Sequence, residues 1–294
     1  MRASVLAAAL LVVTTVASTR GQEMYSTEWY DRFRGPMSAP AEPFKVVGTI
    51  YYVGAADISS WLITTPEGHV LVDTGTVEMH DVVRKNVEAL GFSPRDVKII
   101  LSTEAQFDHV AGHAAMQKLT GARVMAMRGD AEALSTGTDT SALGAVGWDP
   151  VKVDRVLEHG DTVEIGGMKL RAVHNPGHTQ GTTTWMMTVE DSGRRYNVAI
   201  RGSLLPDWGV SLIKNPRHKN VVADTWLGLS RLKAEKAPDV VLPSHAQSFF
   251  EGKIEQTKAG VRPHPLLNGD KWMSDIMEAE ADLERAVWAE EQGS

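Results

Sequence analysis

The stretch LSTEAQFDHVAG, residues 101 to 112, gathers Glu104, Gln106, Asp108 and His109 into one short segment. Carboxylate oxygen and imidazole nitrogen are the donors that a divalent metal such as Zn²⁺ takes from a protein. Two further histidines stand in a similar setting. His109 follows KIILST, His178 follows KLRAVHNPG and His245 follows DVVLPS, each just past an apolar run that reads as a strand. Loops at strand ends are where a scaffold presents reactive groups, and neutral imidazole is the commonest metal ligand. Three such ends point to one shared metal site. Asp108, His109 and His245 form an O,N,N set that leaves a position for water, as hydrolytic zinc sites require.

The other polar residues of these segments have blander readings. Asp108 also fits as the N-cap of a helix beginning near Val110. His113 lies four residues after His109, so a helix would put both on one face, and it reads as a helix-surface or supporting residue. His174 reads as a packing residue on its strand. His69, His80, His159, His218 and His264 sit beside turns, charges or helix ends and read as surface or structural histidines.

These groups need a frame. FKVVGTIYYVG is strand-like, SSWLITT and HVLVDTG form a hairpin about PEG, and a helix is expected from about Val77 to Leu90. VKIILST is a buried strand, AGHAAMQKLTG a helix closed by Gly121, RVMAM the next strand, and Asp130 to Leu134 a short helix with an acidic cap. A glycine-rich loop from Ser135 to Asp149 is expected to divide two halves. In the second half DTVEIGGMKLRAVHN turns on Gly166 and Gly167, and TTTWMMTV and YNVAIRGS pair about EDSGR. A helix over 220–236, the strand DVVLPSH and a C-terminal helix from Asp270 follow. In that last helix Trp272, Ile276, Leu283 and Val287 share a face. Strands outnumber helices in each half, which predicts two β-sheets in contact with helices outside them.

The chain has 294 residues, 43% of them hydrophobic, enough for a sizeable core. Its formal charge of −7 is spread along the chain, which argues against a nucleic-acid partner. There is no cysteine, so disulfides, thiol nucleophiles and zinc–thiolate ligation are excluded. Residues 1–22, with Arg2, an apolar stretch to Val13 and then small residues, have the layout of a secretory signal cleaved after Ala17 or Ser18. The apolar stretch is shorter than the roughly 20 residues a membrane span needs. Export to the periplasm without a membrane anchor is the expectation.

Several stretches, in order, resemble the metallo-β-lactamase superfamily: SSWLITTPEGHVLVDTG, STEAQFDHVAG beside the H-x-H-x-D-H signature, VHNPGHTQGTTTW, RGSLLPDW and VLPSHAQSFF. The resemblance runs from about Phe44 to Phe250 and implies one α/β domain over residues 23–294. Its expected form is a four-layer αβ/βα sandwich of two β-sheets with outer helices. Among zinc β-lactamases it is similar to the third subclass, which places Asp-His-His at the second zinc and needs no cysteine. That set maps onto Asp108, His109 and His245. Ser203 matches a serine that would hold water or the substrate carboxylate.

The first zinc site departs from the family, with Glu104 and Gln106 where two histidines are usual and only His178 conventional. Glu104 lowers the charge of the centre and the Gln106 amide is a weaker donor than imidazole, so a weakened first site holding its ion loosely is expected. The resemblance therefore implies one or two Zn²⁺ ions, a monomer, and hydrolysis of a small β-lactam, with Asp108 orienting the nucleophile. A lactonase or thioesterase on the same fold, or a non-catalytic periplasmic ligand-binding protein, are the alternatives.

Overall fold

The computed structural model describes residue 32 and residues 35–246, 253–262 and 264–293. The signal expected over residues 1–22, and residues 247–250 of the VLPSHAQSFF motif, lie outside the described residues. Two sheets carry the fold. In the first, β1 (Phe44–Val47), β2 (Ile50–Tyr52), β3 (Trp61–Ile63) and β4 (His69–Val72) form an antiparallel meander. Parallel strands β5 (Val97–Leu101), β6 (Arg123–Met127) and β7 (Val153–Leu157) extend it to seven, in sequence order. The second sheet has five strands in the order β12-β11-β10-β9-β8. These are β8 (Thr162–Ile165), β9 (Met168–His174), β10 (Thr183–Asp191), β11 (Arg194–Arg201) and β12 (Val240–Pro243), the last parallel to β11.

The continuous apolar runs are explained by burial on both faces. Trp61, Ile63, Val70, Val72, Ile99, Leu101, Met125 and Met127 face the second sheet in a central core. Their neighbours Leu62, Leu71, Ile100, Val124 and Ala126 face outward and pack with Val83, Val87, Met116 and Leu134. Those four belong to helices α1 (Met79–Ala89), α3 (His113–Thr120) and α4 (Arg128–Thr136), and a four-residue turn of helix, α2 (Phe107–Val110), comes between α1 and α3. The second sheet does the same, with Leu170, Ala172, Val198, Ile200, Val240 and Leu242 inward. Val173, Ala199 and Val241 face outward, under α5 (Val221–Ala234) and α7 (Trp272–Glu291). A period of two thus feeds two cores at once. The result is helices, sheet, sheet, helices, the four layers expected.

Several local expectations hold. Gly121 closes α3 at φ 70°, and Gly166 and Gly167, at φ 51° and 82°, make the β8–β9 turn that only glycine enters without strain. Trp272, Ile276 and Leu283 lie buried against α5 residues Leu229 and Leu232, and Val287 packs beside them. The strand-like FKVVGTIYYVG supplies β1 and β2, which turn back on each other at Gly48 (φ 56°). Another expectation needs correcting. The boundary between halves is not the 135–149 loop, because β7 follows that loop and still belongs to the first sheet. β7 is an edge strand whose VDRVL sequence is mostly solvent-facing, so it carries little apolar signal. A further short helix, α6 (Ile254–Lys258), has no buried residue and so no apolar pattern to mark it in sequence. Among the described residues no helix is long and apolar enough to cross a membrane.

Candidate metal centre

Strands β4, β5, β9, β11 and β12 all end at one edge, where the two sheets meet. The edges are tied together there: Thr183 donates its N–H to the Thr103 carbonyl (2.7 Å) and the Trp185 indole donates to the Ser102 carbonyl (3.0 Å). The loop after β5 runs into α2 and delivers Glu104, Gln106, Asp108 and His109. The β9–β10 loop delivers His178, the segment after β11 delivers Ser203 and Asp207, and the end of β12 delivers His245.

Asp108, His109 and His245 come together as expected. One ligand atom from each lies within 4.8 Å of the other two. Asp108 Oδ2 is 3.6 Å from His109 Nε2 and 3.6 Å from His245 Nε2. The outer nitrogens of both rings face carboxylates, with Asp73 Oδ2 3.4 Å from His109 Nδ1 and Asp57 Oδ1 3.7 Å from His245 Nδ1. This is the outer support that aims ligating histidines inward. Asp73 is itself fixed by the Thr103 N–H (2.7 Å) and hydroxyl (2.6 Å). It holds a left-handed backbone, φ 61°, rare for a residue with a side chain.

The donor chemistry of this set fits a cation. His109 is fully buried and Asp108 nearly so, yet Asp108 Oδ1 and His109 Nε2 lack a hydrogen-bond partner among the described residues. Bare buried polar atoms are costly unless something else binds them. Burial alone pushes His109 down, but Asp108, Glu104 and Asp73 around it raise it to about 10, a measure of how strongly this pocket favours positive charge. The His245 side chain is 42% exposed, so the centre opens to solvent on that side.

The other expected set is arranged differently. Glu104 is fully buried and accepts two hydrogen bonds from Ser203, from its N–H (2.9 Å) and its hydroxyl (2.8 Å). Glu104 Oε1 also lies 3.3 Å from His109 Nε2. Burial would raise its carboxyl, but His178, His109 and the Ser203 donors hold it down at about 2. Gln106 donates from Nε2 to Asp207 Oδ2 (2.7 Å), with the Ser141 hydroxyl at 3.4 Å. Its Oε1 sits 2.8 Å from His178 Nε2, and His178 Nδ1 sits 2.6 Å from the Leu205 carbonyl. Both ring nitrogens therefore face acceptors. Against burial, Asp207 and Glu104 raise His178 to about 9.

Three acids that composition and spacing do not single out, Asp73 and Asp130 buried and Asp207 partly so, complete the surroundings. Asp73 and Asp207 stand in HVLVDTG and RGSLLPDW, where their spacing marks no role. Asp130 reads in sequence as a helix cap, but the N-cap of α4 is Met127. The Asp130 carboxylate instead leaves the helix and accepts from Ala105 N–H, Thr179 Oγ1 and Gly181 N–H, each at 2.8 Å. It clasps the Glu104–Gln106 segment to the loop of His178. Gly181 permits this approach, since a Cβ there would meet Asp130 backbone nitrogen at 2.4 Å. Asp108 does not cap its helix either, because the N-cap position of α2 is Gln106. His113 is buried rather than on a helix surface, with Nδ1 2.7 Å from the Thr74 hydroxyl. His174 packs at its strand end but also bonds the Gln180 carbonyl (2.8 Å).

Comparison with known proteins gives a consistent picture. Residues 53–185 match the family model of the metallo-β-lactamase superfamily. The solved structure of native FEZ-1 metallo-β-lactamase from Legionella gormanii is 31% identical and superimposes with a TM-score of 0.82, covering 87% of this chain and 99% of that one. BJP-1, a subclass B3 metallo-β-lactamase of Bradyrhizobium japonicum, is 30% identical at a TM-score of 0.82, covering 89% and 99%. A hydroxyacylglutathione hydrolase of Maricaulis maris is 26% identical over 79% of this chain and 75% of its own length.

Proposed function

Since the chain belongs to the metallo-β-lactamase superfamily, we propose that it is a zinc-dependent hydrolase that opens the amide of β-lactam antibiotics. The observation that carries this reading is the convergence of Asp108, His109 and His245 on one solvent-open point, with buried donor atoms left bare. Its sequence and fold likeness to two metallo-β-lactamases over nearly their whole length supports the substrate class. Asp108, His109 and His245 would hold the ion. Zinc bound there would supply a Lewis acid for the carbonyl oxygen and would make its water more acidic than bulk water.

The chain's own residues do the rest. Asp73 and Asp57 aim the two imidazoles. Asp108 turns Oδ2 to both histidines and keeps Oδ1 for a proton of the attacking water, which it can pass to the departing amide nitrogen. Glu104 adds negative charge beside His109, braced by Ser203. With both donors of Ser203 on Glu104, a substrate carboxylate would compete with Glu104 for that hydroxyl. The leader over residues 1–22 would send the protein to the periplasm, where it would act as a monomer and confer antibiotic resistance.

A second reading, hydrolysis of a thioester or lactone on the same centre, draws on the likeness to the hydroxyacylglutathione hydrolase. One experiment separates them. Zinc-loaded protein is assayed on a penicillin, a carbapenem, a lactone and a thioester, beside His245→Ala. The expected result is β-lactam opening that His245→Ala abolishes. Turnover confined to the thioester or lactone, or no turnover of any substrate by zinc-replete protein, refutes the β-lactamase reading.

A further inference from the structure

The two candidate ligand sets differ in one respect that composition does not reveal. In the Asp108–His109–His245 set, Asp108 Oδ1 and His109 Nε2 have no hydrogen-bond partner among the described residues. In the Glu104–Gln106–His178 set every donor atom already has a hydrogen-bond partner. The orientation of the Gln106 amide follows from Asp207, because a carboxylate ordinarily only accepts. Nε2 must therefore point at Asp207 Oδ2 (2.7 Å), which turns Oε1 toward His178 Nε2 (2.8 Å). His178 Nε2, the nitrogen a first-site metal would take, is then an N–H donor to the amide oxygen. Both Glu104 oxygens are held by Ser203.

Ligation here would require two coupled losses. His178 would have to give up its bond to Gln106, and Gln106 would have to aim its oxygen at the ion while Asp207 loses its amide donor. Gln106 is 2% exposed and His178 9%, so little water is at hand to replace either partner. The Asp130 clasp holds Ala105 against Thr179 and Gly181, which keeps the two sides of this network at hydrogen-bonding distance. Ser141 closes the remaining side of the amide (3.4 Å).

We propose that the Asp207–Gln106–His178 chain is a latch that closes the first metal position, so that this protein holds a single divalent ion, on Asp108, His109 and His245. Asp207 is the positioning residue of the latch: it fixes which end of the Gln106 amide meets His178. The inference rests on the reading of the Asp108 set as the metal centre, but not on the choice of substrate.

The test counts ions and does not use activity. The full chain is stripped with a chelator, equilibrated with excess zinc and desalted, and bound zinc is counted by native mass spectrometry and elemental analysis. Wild type should retain one ion per chain, His178→Ala should retain the same one, and His245→Ala should lose it. The Glu104→His/Gln106→His double variant should gain a second ion. Retention of its ion by His178→Ala also shows that the variant has folded. Two ions in wild type with one lost in His178→Ala, a single ion lost in His178→Ala, or no retained ion in wild type would each overturn the proposal. The two readings fail separately. One ion without β-lactam turnover sinks the substrate assignment alone, and two ions with turnover sink the latch alone.

Discussion

His113 makes the support of the metal centre sensitive to acid. It is fully buried in α3 behind His109, with Nδ1 on the Thr74 hydroxyl and Nε2 without a partner among the described residues. Burial, with the neighbouring positive charge of His109, lowers it to about 3. An unfolded histidine titrates near 6.5, so below that pH the unfolded chain takes up a proton that the folded one refuses. Stability contributed by the neutral ring is therefore complete above pH 6.5 and lost as pH falls toward 3, at about 1.4 kcal/mol per pH unit. Between pH 7 and pH 5 the loss comes to about 2 kcal/mol, and it is the same for any folded value below about 4. Urea unfolding of wild type and His113→Asn at both pH values, with chelator present so that metal ligands contribute equally, isolates this residue. Asn keeps a polar partner for Thr74 and does not titrate. Wild type should lose about 2 kcal/mol more than the variant on acidification. Equal losses would mean that His113 takes up its proton in the folded protein as readily as in the unfolded one, and the argument from its burial would fall.

Two further outcomes concern the other supports. Asp73→Ala should weaken zinc binding about 10–100-fold, because the ring of His109 loses the carboxylate that aims it; competition with a chromophoric chelator measures this, and an unchanged affinity contradicts the aiming role. Asp130→Ala should lower the melting temperature by several degrees, since the buried N–H groups of Ala105 and Gly181 lose their acceptor at about 1–3 kcal/mol each. The hydrogen bonds of Asp130 go to Ala105, Thr179 and Gly181 and not to Asp108, His109 or His245, so zinc affinity should change little, and a large loss of affinity with an unchanged melting temperature would reverse the assignment.

What the sequence reveals follows from how many residues share a signal. Strands such as VKIIL and HVLV are legible because each residue is buried on one face or the other, leaving an unbroken apolar run. The β8–β9 hairpin is legible because Gly166 and Gly167 both take positive φ. Asp108, His109 and His245 could be grouped because each lies at the end of such a run. β7 escapes because an edge strand faces solvent along most of its length. Asp130 and Asp207 escape for a different reason. Each is a single acid whose partners stand far away in sequence: Ala105 and Gly181 for the first, Gln106 for the second. A lone carboxylate in a loop or short helix has no period and no spacing, and its role exists only once the sheets have brought the loops together.

The same dependence explains how Glu104 and Gln106 can stand where two imidazoles are usual. A fully buried carboxylate without a metal needs donors, and Glu104 finds them in Ser203, whose side chain and backbone serve both of its oxygens. A buried amide needs an acceptor for its N–H and a donor for its oxygen, and Asp207 and His178 are those groups. The substitutions therefore fit as a set with Ser203 and Asp207, not as two separate losses of a ligand. With one ion present, Asp108 and Glu104 formally cancel its charge before any hydroxide binds, whereas strongly activating zinc sites acidify their water to about 7. A neutralised centre pulls less on the water proton. That would shift the burden of activation onto the bare Oδ1 of Asp108, the acid that lies 3.6 Å from both histidines and has an oxygen left to use.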